Sequence, residues 1–327
     1  MPQQSPPRKR RGRLFRFGAA VAVLLAVAGY LTVQYLTGSM TPRCTVVSGT
    51  GDGASYDFTP EQAVNAATIS AVGTTRGMSE RAVTIALATA LQESDLRNIE
   101  HGDRDSLGLF QQRPSQGWGT REQIMDPTYA AKMFYEHLAK VPDYGELPLT
   151  LAAQRVQHSG YPEAYAKQEP DAALLAAALT GNSAATLTCE GRQAQAEGGG
   201  PDAVRAALVR DFGRDVLPTA RAEVTTEAEV TTERSSPSPT AADPVQPVAA
   251  ETVTVPVSWK TTASGTARQR GWELAHWAVA NSSALHIAHV SFAGREWSRG
   301  GFANEWSTAG DPDATASATE VRIVTAE

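Results

Sequence analysis

The sequence predicts a mostly α-helical domain that follows one apolar helix and precedes a small α/β domain. Three observations predict this order. Residues 17–38 form an apolar run long enough to cross a bilayer. Residues 59–185 show helical periodicity and contain no run that alternates with period two. The composition then changes after Cys189, and strand-like runs begin at residue 251.

Charge is distributed unevenly along the 327 residues. Residues 1–16 carry six basic residues and no acidic residue, so the net charge of −6 leaves −12 on the remainder. Nucleic-acid binding depends mainly on neutralising phosphates with Lys and Arg. We therefore expect no nucleic-acid partner for so acidic a body.

The apolar run reads FGAAVAVLLAVAGYLTVQYLTG and directly follows the basic block. Basic residues stay on the cytoplasmic side of a membrane helix. The pattern predicts a cytoplasmic tail (1–16) and a single-pass transmembrane signal anchor (17–38) in the cell membrane, with the bulk of the chain extracellular. A cleaved signal peptide is the alternative, but its apolar core is usually about 7–15 residues and an A-x-A site follows it. This run is longer and lacks that site.

Cysteine usage is sparse, because Cys44 and Cys189 are the only two in the chain. Outside a cell such a pair most simply forms one disulfide. Two unpaired thiols are the alternative. No His or Cys stands at ligand spacing from either one, so we predict no metal site there. The pair bounds the predicted helical domain, 44–190.

Helix signals begin at Thr59, a good N-cap that is followed by Pro60 and by Gln62 at the capping-box position. This first helix should stop at Gly73 or Gly77. Residues 39–57, rich in Gly, Ser and Thr, are predicted to be a stalk.

Ser79 should cap a second helix that ends at Glu93. Its apolar residues recur at helical spacing and predict a buried stripe: Ala82, Val83, Ala86, Leu87, Ala90 and Leu91. The further helices are predicted at 127–141 with Asp126 as cap, at 149–157 and at 171–179.

The segment 191–250 is predicted to be a linker with one helix at 202–216. Residues 223–250 are rich in Thr, Ser, Pro and Glu without aromatics, which indicates disorder. Residues 251–327 should form a small α/β or α+β domain with the order strand, helix, strand, strand. We interpret it as a binding or scaffolding module.

That last segment holds several histidines. Trp272 and His276 stand four apart on a predicted helix, so they should share one face packed against the core. Glu273 lies three residues before His276, and His286 lies three before His289. Neither pair has a third ligand in its own element, so we favour structural histidines over a metal site.

Glu93 is the candidate catalytic residue. Cleaving a glycosidic bond requires a carboxyl group that stays protonated near neutral pH, so that it can protonate the bridging oxygen. Partial burial and the negative end of a helix both disfavour the ionised form. The alternative is a solvated glutamate at a frayed helix end.

A neighbouring motif favours catalysis. Glu93-Ser94 is followed by SLGLFQ at 106–111, and this pair of motifs resembles the soluble lytic transglycosylase and goose-type lysozyme group. The resemblance implies a lysozyme-like domain over about 60–180, with peptidoglycan glycan strands as substrate and no cofactor. Glu93 matches the catalytic acid/base and Ser94 the serine that hydrogen-bonds near it. The residues that match the loop lining the sugar cleft are Gly108, Leu109, Phe110 and Gln111.

The stretch 112–119 resembles a variant found in secreted or membrane-anchored actinobacterial proteins. The group's later Ala-Tyr-Asn-x-Gly element falls at 156–160, which reads VQHSG. Gln157 stands at the tyrosine position and His158 at the asparagine position. Tyr161 or Tyr165 is expected to supply the missing phenol.

The mechanism depends on a second carboxylate. Inverting glycosidases hold a base about 6.5–9.5 Å from the acid, and retaining ones hold a nucleophile about 5–5.5 Å away. Asp103 and Asp105 are the candidates, and their alternative role is to form a turn. If neither faces the cleft, Glu93 acts alone, and substrate-assisted attack leaves a 1,6-anhydro sugar, as in the family.

Other residues of the stretch are candidates for substrate binding. Trp118 either stacks on a sugar ring or packs at the domain edge. Arg113 either binds a peptide-stem carboxylate or braces Asp105. The complete predicted substrate-binding set is Ser94, Asp105, Ser106, Gly108, Gln111, Gln112, Arg113, Trp118, Gln157 and Tyr161.

Together these features predict an extracytoplasmic enzyme that cleaves peptidoglycan glycan strands, either a lytic transglycosylase or a muramidase of the hydrolase type. The alternative, from another class, is a non-catalytic wall-binding or envelope-assembly protein.

Overall fold

The computed structural model of the protein describes residues 11–36, 42–158, 162–190, 199–217, 251–257, 266–300, 305–309 and 318–326. The chain divides into two units, 1–41 and 42–327. The first unit contains helix α1 (Arg11–Leu36).

The predicted membrane anchor at 17–38 is wrong. Across the described ranges, none of the helices combines the length and the apolarity that a bilayer crossing demands. The single-pass localisation, with a cytoplasmic N terminus and an extracellular body, depended on that anchor and is corrected with it.

In the second unit a small sheet ties together the two ends of the helical region. Strands β1 (Arg43–Val47), β2 (Ser55–Phe58) and β3 (Leu187–Glu190) are antiparallel in the order β2-β1-β3. Cys44 and Cys189 lie directly opposite each other on β1 and β3 and form the predicted disulfide. The described part of the segment predicted as a stalk therefore contains two paired strands.

Among the residues that the structure describes, six α-helices lie between β2 and β3, and side-chain caps start several of them. Thr59 and Gln62 form the predicted capping box, with each side chain bonded to the other residue's backbone N–H. Ser79 and Asp126 are N-caps, as predicted. The helices are α2 (Pro60–Thr75), α3 (Glu80–Ser94), α4 (Arg121–Ile124), α5 (Pro127–Leu138), α6 (Leu149–Gln157) and α7 (Glu169–Leu179).

Helix α3 lies at the centre of this group. Every residue from Ala82 to Leu91 is buried, because α2, α5, α6 and α7 all pack against the helix. This packing fixes the position of Glu93 at its C-terminal end.

The C-terminal segment contains two further α-helices and a second sheet in its described residues. Helix α9 (Ala267–Ala280) and the strands that begin at 251, 287 and 320 follow the predicted order of strand, helix, strand, strand. The remaining elements are α8 (Pro201–Phe212), β4 (Glu251–Pro256), β5 (Ile287–Phe292), β6 (Arg295–Ser298), β7 (Ser307–Thr308) and β8 (Glu320–Thr325). In the described part of the segment, five antiparallel strands form a sheet in the order β4-β8-β5-β6-β7. The short strands β6 and β7 were not predicted.

The predicted fold class is wrong in how it arranges these parts. Helix α9 packs on α2, α7 and β3, so the C-terminal segment shares one unit with the central helices. Buried Asp211 of α8 accepts hydrogen bonds from Trp277 Nε1 (2.8 Å) and Thr68 Oγ1 (3.3 Å), which join α8, α9 and α2. The prediction was a mostly α lysozyme-like domain followed by a separate small domain. The structure instead has one unit, whose described residues include two antiparallel sheets. The predicted disorder at 223–250 lies outside the described residues.

His276 illustrates how closely the C-terminal segment is packed. Its ring is fully buried. The ring Nδ1 lies 2.7 Å from Ala178 O, and Nε2 accepts a hydrogen bond from the Thr186 N–H at 3.2 Å. Burial lowers the pKa of His276 to about 4, so a neutral ring with its proton on Nδ1 satisfies both contacts. This histidine connects α9 to α7 and β3.

Candidate active site

Glu93 lies one residue before the end of α3 and is half-buried. The helix ends because Asp95 adopts a left-handed conformation with φ of 56°. Two amides of α2 then hold the departing chain, since Gln62 Nε2 donates to Asp95 O and Asn65 Nδ2 donates to Leu96 O, both at 2.8 Å. These two hydrogen bonds fix the chain directly after the end of α3.

A buried phenol donates directly to the Glu93 carboxyl group. Tyr165 Oη lies 2.5 Å from Glu93 Oε1, and the Tyr165 side chain is fully buried. Tyr165 belongs to a 3₁₀ turn, Pro162–Gln168, that follows α6. Gln168 Nε2 donates to Gln92 Oε1 at 3.2 Å, which holds this turn against α3. Of the two tyrosines predicted to supply the phenol, Tyr165 therefore contacts Glu93, while Tyr161 lies outside the described residues.

Burial and hydrogen bonding act on the Glu93 proton in opposite directions. Desolvation, the largest cause, raises the pKa of Glu93 above its ordinary value of 4.5, while hydrogen bonds from Tyr165 and Gln157 lower it in part. Desolvation outweighs the two hydrogen bonds. The carboxyl group keeps its proton to a higher pH than an exposed glutamate does.

The SLGLFQ motif forms a tight turn beside this group. Leu107 and Gln112 exchange two backbone hydrogen bonds of 3.0 Å at its base. Gly108 has φ of 73°, and a Cβ there would lie 2.8 Å from Ile124 O. Only glycine fits both the left-handed backbone and this close approach. The turn 107–112 is thus a fixed wall rather than a loose loop.

Two side chains hold this turn against the end of α3. Ser94 Oγ donates to Leu109 O at 2.7 Å, and Gln157 Nε2 donates to Phe110 O at 2.7 Å. Ser94 directly follows Glu93, and Gln157 is the last residue of α6. Two successive carbonyls of the turn are therefore bonded to the residue after Glu93 and to the last residue of α6.

Several other predicted residues bond within the scaffold. Gln111 Nε2 donates to Gly108 O at 3.2 Å, and buried Gln112 donates to Ala130 O at 3.1 Å. Ser106 is also buried, and its N–H donates to Asp103 O at 3.1 Å. These contacts stabilise the turn.

Asp105 has different hydrogen-bond partners from those of Glu93. Arg113 Nε donates to Asp105 Oδ1 at 2.7 Å, and the Ser115 N–H donates to Oδ2 at 2.8 Å. The hydrogen bonds from Ser115 and from Arg113 hold the pKa of Asp105 well below its ordinary value of 3.8. Asp103 is strongly exposed and lies 3.9 Å from Arg104. Of the two roles open to Arg113, the structure has the contact with Asp105.

Trp118 stacks on a histidine at the edge of the helical core. Its ring centroid lies 4.1 Å from that of His137, at an interplanar angle of 37°. His137 Nδ1 lies 2.8 Å from Met133 O, which orients the ring. One face of Trp118 is thus occupied by the His137 ring.

His158, which stands at the asparagine position of the group's element, is exposed and forms the left-handed C-cap of α6.

The structure therefore brings together Glu93, Ser94, Gln157 and Tyr165 around the turn 107–112. Sequence reasoning included Tyr165 only as one of two candidate phenols. The available signal was a tyrosine shortly after VQHSG, the segment that differs from the group's Ala-Tyr-Asn-x-Gly element. Only the path of the chain after α6 shows that Tyr165 contacts Glu93. No protein family and no curated protein matches this chain.

Proposed function

We propose that this protein cleaves the glycan strands of peptidoglycan, with Glu93 as general acid and then as base. The observation that carries the proposal is the half-buried Glu93 carboxyl group, whose pKa is raised by desolvation and which Tyr165 orients by a hydrogen bond of 2.5 Å. A protonated carboxyl group held in one orientation is what departure of a glycosidic oxygen requires.

The substrate class is supported by the sequence pattern. The Glu-Ser pair and the GLFQ turn resemble those of the soluble lytic transglycosylase group, and these two motifs lie against each other through the Ser94–Leu109 hydrogen bond. A turn fixed beside the acid is suited to line one wall of a sugar-binding cleft. This adjacency favours a glycan over a substrate of another chemical class.

The state of the two aspartates favours a mechanism with one protein carboxylate. Asp105 is bonded to Arg113 and Ser115, and Asp103 is exposed. We therefore expect Glu93 to serve both steps. It protonates the bridging oxygen as the C1–O bond breaks, and the resulting carboxylate takes the proton of the C6 hydroxyl that attacks C1. Glu93 ends protonated, no water is consumed, and the product is a 1,6-anhydro sugar.

The test is incubation of the full-length protein with purified peptidoglycan, followed by mass spectrometry of the released fragments. The protein should be produced under oxidising conditions so that Cys44–Cys189 forms. We expect fragments that end in 1,6-anhydro sugars. Glu93→Gln should lower their release by about 10²- to 10⁴-fold, the usual contribution of a general acid.

Glu100→Gln is the matched control, because Glu100 is an exposed glutamate in the segment just after α3. It should release fragments as the wild type does. Fragments with reducing ends would mean that water replaces the C6 hydroxyl, and would leave the acid role intact. No release, or equal release by Glu93→Gln, would contradict the proposal and favour a non-catalytic wall-binding protein.

A further inference from the structure

The side chain of Gln157 contacts both parts of the candidate site. Its Nε2 donates to Phe110 O at 2.7 Å, and its side chain lies close enough to the Glu93 carboxyl group to lower the pKa of that group. A primary amide carries two N–H donors, so the bond to Phe110 leaves one N–H for a second acceptor.

Helix packing sets the position of this amide. Gln157 ends α6, which packs against α5, α3 and the 3₁₀ turn that carries Tyr165. Ala152, Ala153 and Val156 bury the inner face of α6. The amide is therefore presented from a packed helix, and its reach to Phe110 and Glu93 is fixed by the core.

We infer that Gln157 is a positioning residue, which acts through Glu93 by holding the carboxyl group and the turn 107–112 in one arrangement. The inference rests on the proposed function and deepens it. It gives Gln157 a role other than the substrate binding predicted from the sequence, because its Nε2 donates to a backbone oxygen of the turn.

The residue type suits this role. A cationic donor favours the ionised carboxylate more strongly than a neutral donor does. An amide and a phenol orient the carboxyl group with a weaker preference for the charge, so burial still keeps the proton on Glu93. Gln157 and Tyr165 thus fix the geometry at little cost to the acid.

The first test measures the Glu93 carboxyl group itself and requires no activity. The Glu93 resonance is assigned by its loss in Glu93→Gln, and its pKa is then followed by ¹³C NMR titration in Gln157→Met and Gln157→Glu. Both variants should raise the pKa of Glu93, because a donor to the ionised form is lost. The shift should be larger in Gln157→Glu, which adds a like charge.

Gln154→Met is the matched control, since Gln154 is the same residue type three positions earlier on α6. It should leave the pKa of Glu93 where it is in the wild type. Near-UV circular dichroism reports whether each variant folds, and if Gln157→Met does not, Gln157→Glu decides the question. An unchanged pKa in a folded Gln157 variant would overturn the inference.

The second test separates positioning from substrate binding. On peptidoglycan, Gln157→Met should lower kcat by about 10- to 100-fold, the usual loss when a reacting group is misplaced. KM should stay within about threefold, because a positioning residue contributes little to ground-state binding. A raised KM with unchanged kcat would instead make Gln157 a sugar-binding residue. If the wild type releases nothing, the proposed function fails, while the NMR result still decides whether Gln157 orients Glu93.

Discussion

Glu93 and Asp105 are two acidic side chains only twelve positions apart, and their surroundings give them opposite properties. Glu93 is half-buried at the end of α3 and receives neutral donors. Asp105 lies in the following loop and receives a guanidinium and a backbone N–H. Burial raises the pKa of Glu93, whereas hydrogen bonds lower the pKa of Asp105.

The difference shows that burial decides between two carboxyl groups that both receive hydrogen bonds. Donors from Ser115 and Arg113 favour the ionised form of Asp105, and burial there does not outweigh them. Glu93 also receives donors, but desolvation outweighs them, so its orientation is fixed while a proton stays available. The loop of Asp105 is therefore built for stability, and the end of α3 for proton transfer.

The largest expected effect is a difference in peptidoglycan cleavage between variants of Glu93 and of Asp105. Asp105→Asn should keep peptidoglycan cleavage within about tenfold of the wild type, whereas Glu93→Gln should lose about 10²- to 10⁴-fold. The reason is that Asp105 holds the loop and Glu93 transfers the proton. Initial rates of fragment release measure both. A loss in Asp105→Asn as deep as in Glu93→Gln would break the comparison by making Asp105 a second catalytic carboxylate.

A smaller effect is expected at the phenol. Tyr165→Phe removes the 2.5 Å hydrogen bond to Glu93 but keeps the buried ring. We expect the pKa of Glu93 to rise, kcat to fall by about tenfold, and the free energy of unfolding to fall by about 1 kcal/mol. NMR titration, kinetics and urea unfolding measure the three quantities. An unchanged pKa would show that Tyr165 does not act on the acid.

The smallest effect is on stability as the pH changes, and its sign differs between the two residues. A raised folded-state pKa means that Glu93 stabilises the fold below its unfolded value, 4.5, and that this contribution is lost as the pH rises through the folded pKa. Glu93→Gln should therefore be more stable than the wild type near neutral pH, and this advantage should vanish below 4.5.

Asp105 follows the opposite course. Its lowered pKa stabilises the fold above its unfolded value, 3.8, and that contribution is lost as the pH falls through the folded pKa. Asp105→Asn should therefore melt at a lower temperature than the wild type near neutral pH, and the two should converge in acid. Thermal melts across the pH range measure both variants. Equal pH dependence in the two would contradict the assignment of opposite roles.

Local signals in the sequence predicted much of the helical part. Thr59, Ser79 and Asp126 cap helices through contacts within a few residues of themselves, so their neighbours in the sequence suffice to identify them. The end of α3 was predicted for the same reason. The burial that raises the pKa of Glu93 follows from the apolar stripe of that helix.

Pairing between distant residues was not predictable in the same way. Strands β1 and β2 are only five and four residues long. They are stabilised by pairing with each other and by pairing of β1 with β3, which lies more than 130 positions away. The packing of α9 likewise depends on contacts such as Trp277 with Asp211. The membrane anchor predicted from the apolar run was wrong, because no helix in the described part of the chain is both long enough and apolar enough to cross a bilayer.

The candidate site divides along the same line. Its acid and its turn are contiguous motifs, whereas Tyr165 reaches Glu93 across 72 positions and Gln157 reaches Phe110 across 47. Both residues were candidates from the sequence, but their contacts with Phe110 and Glu93 could not be predicted. The partner of Arg113 was one of two alternatives for a similar reason, since only the folded loop brings its guanidinium to Asp105.

The most direct test of this account is one ¹³C NMR titration of the full-length protein that follows the carboxyl carbons of Glu93 and Asp105 together. Each resonance is assigned by its loss in the corresponding amide variant. We predict that Glu93 titrates above its ordinary value of 4.5 and Asp105 below its ordinary value of 3.8. A Glu93 pKa at or below 4.5 would contradict the claim that this carboxyl group is the acid.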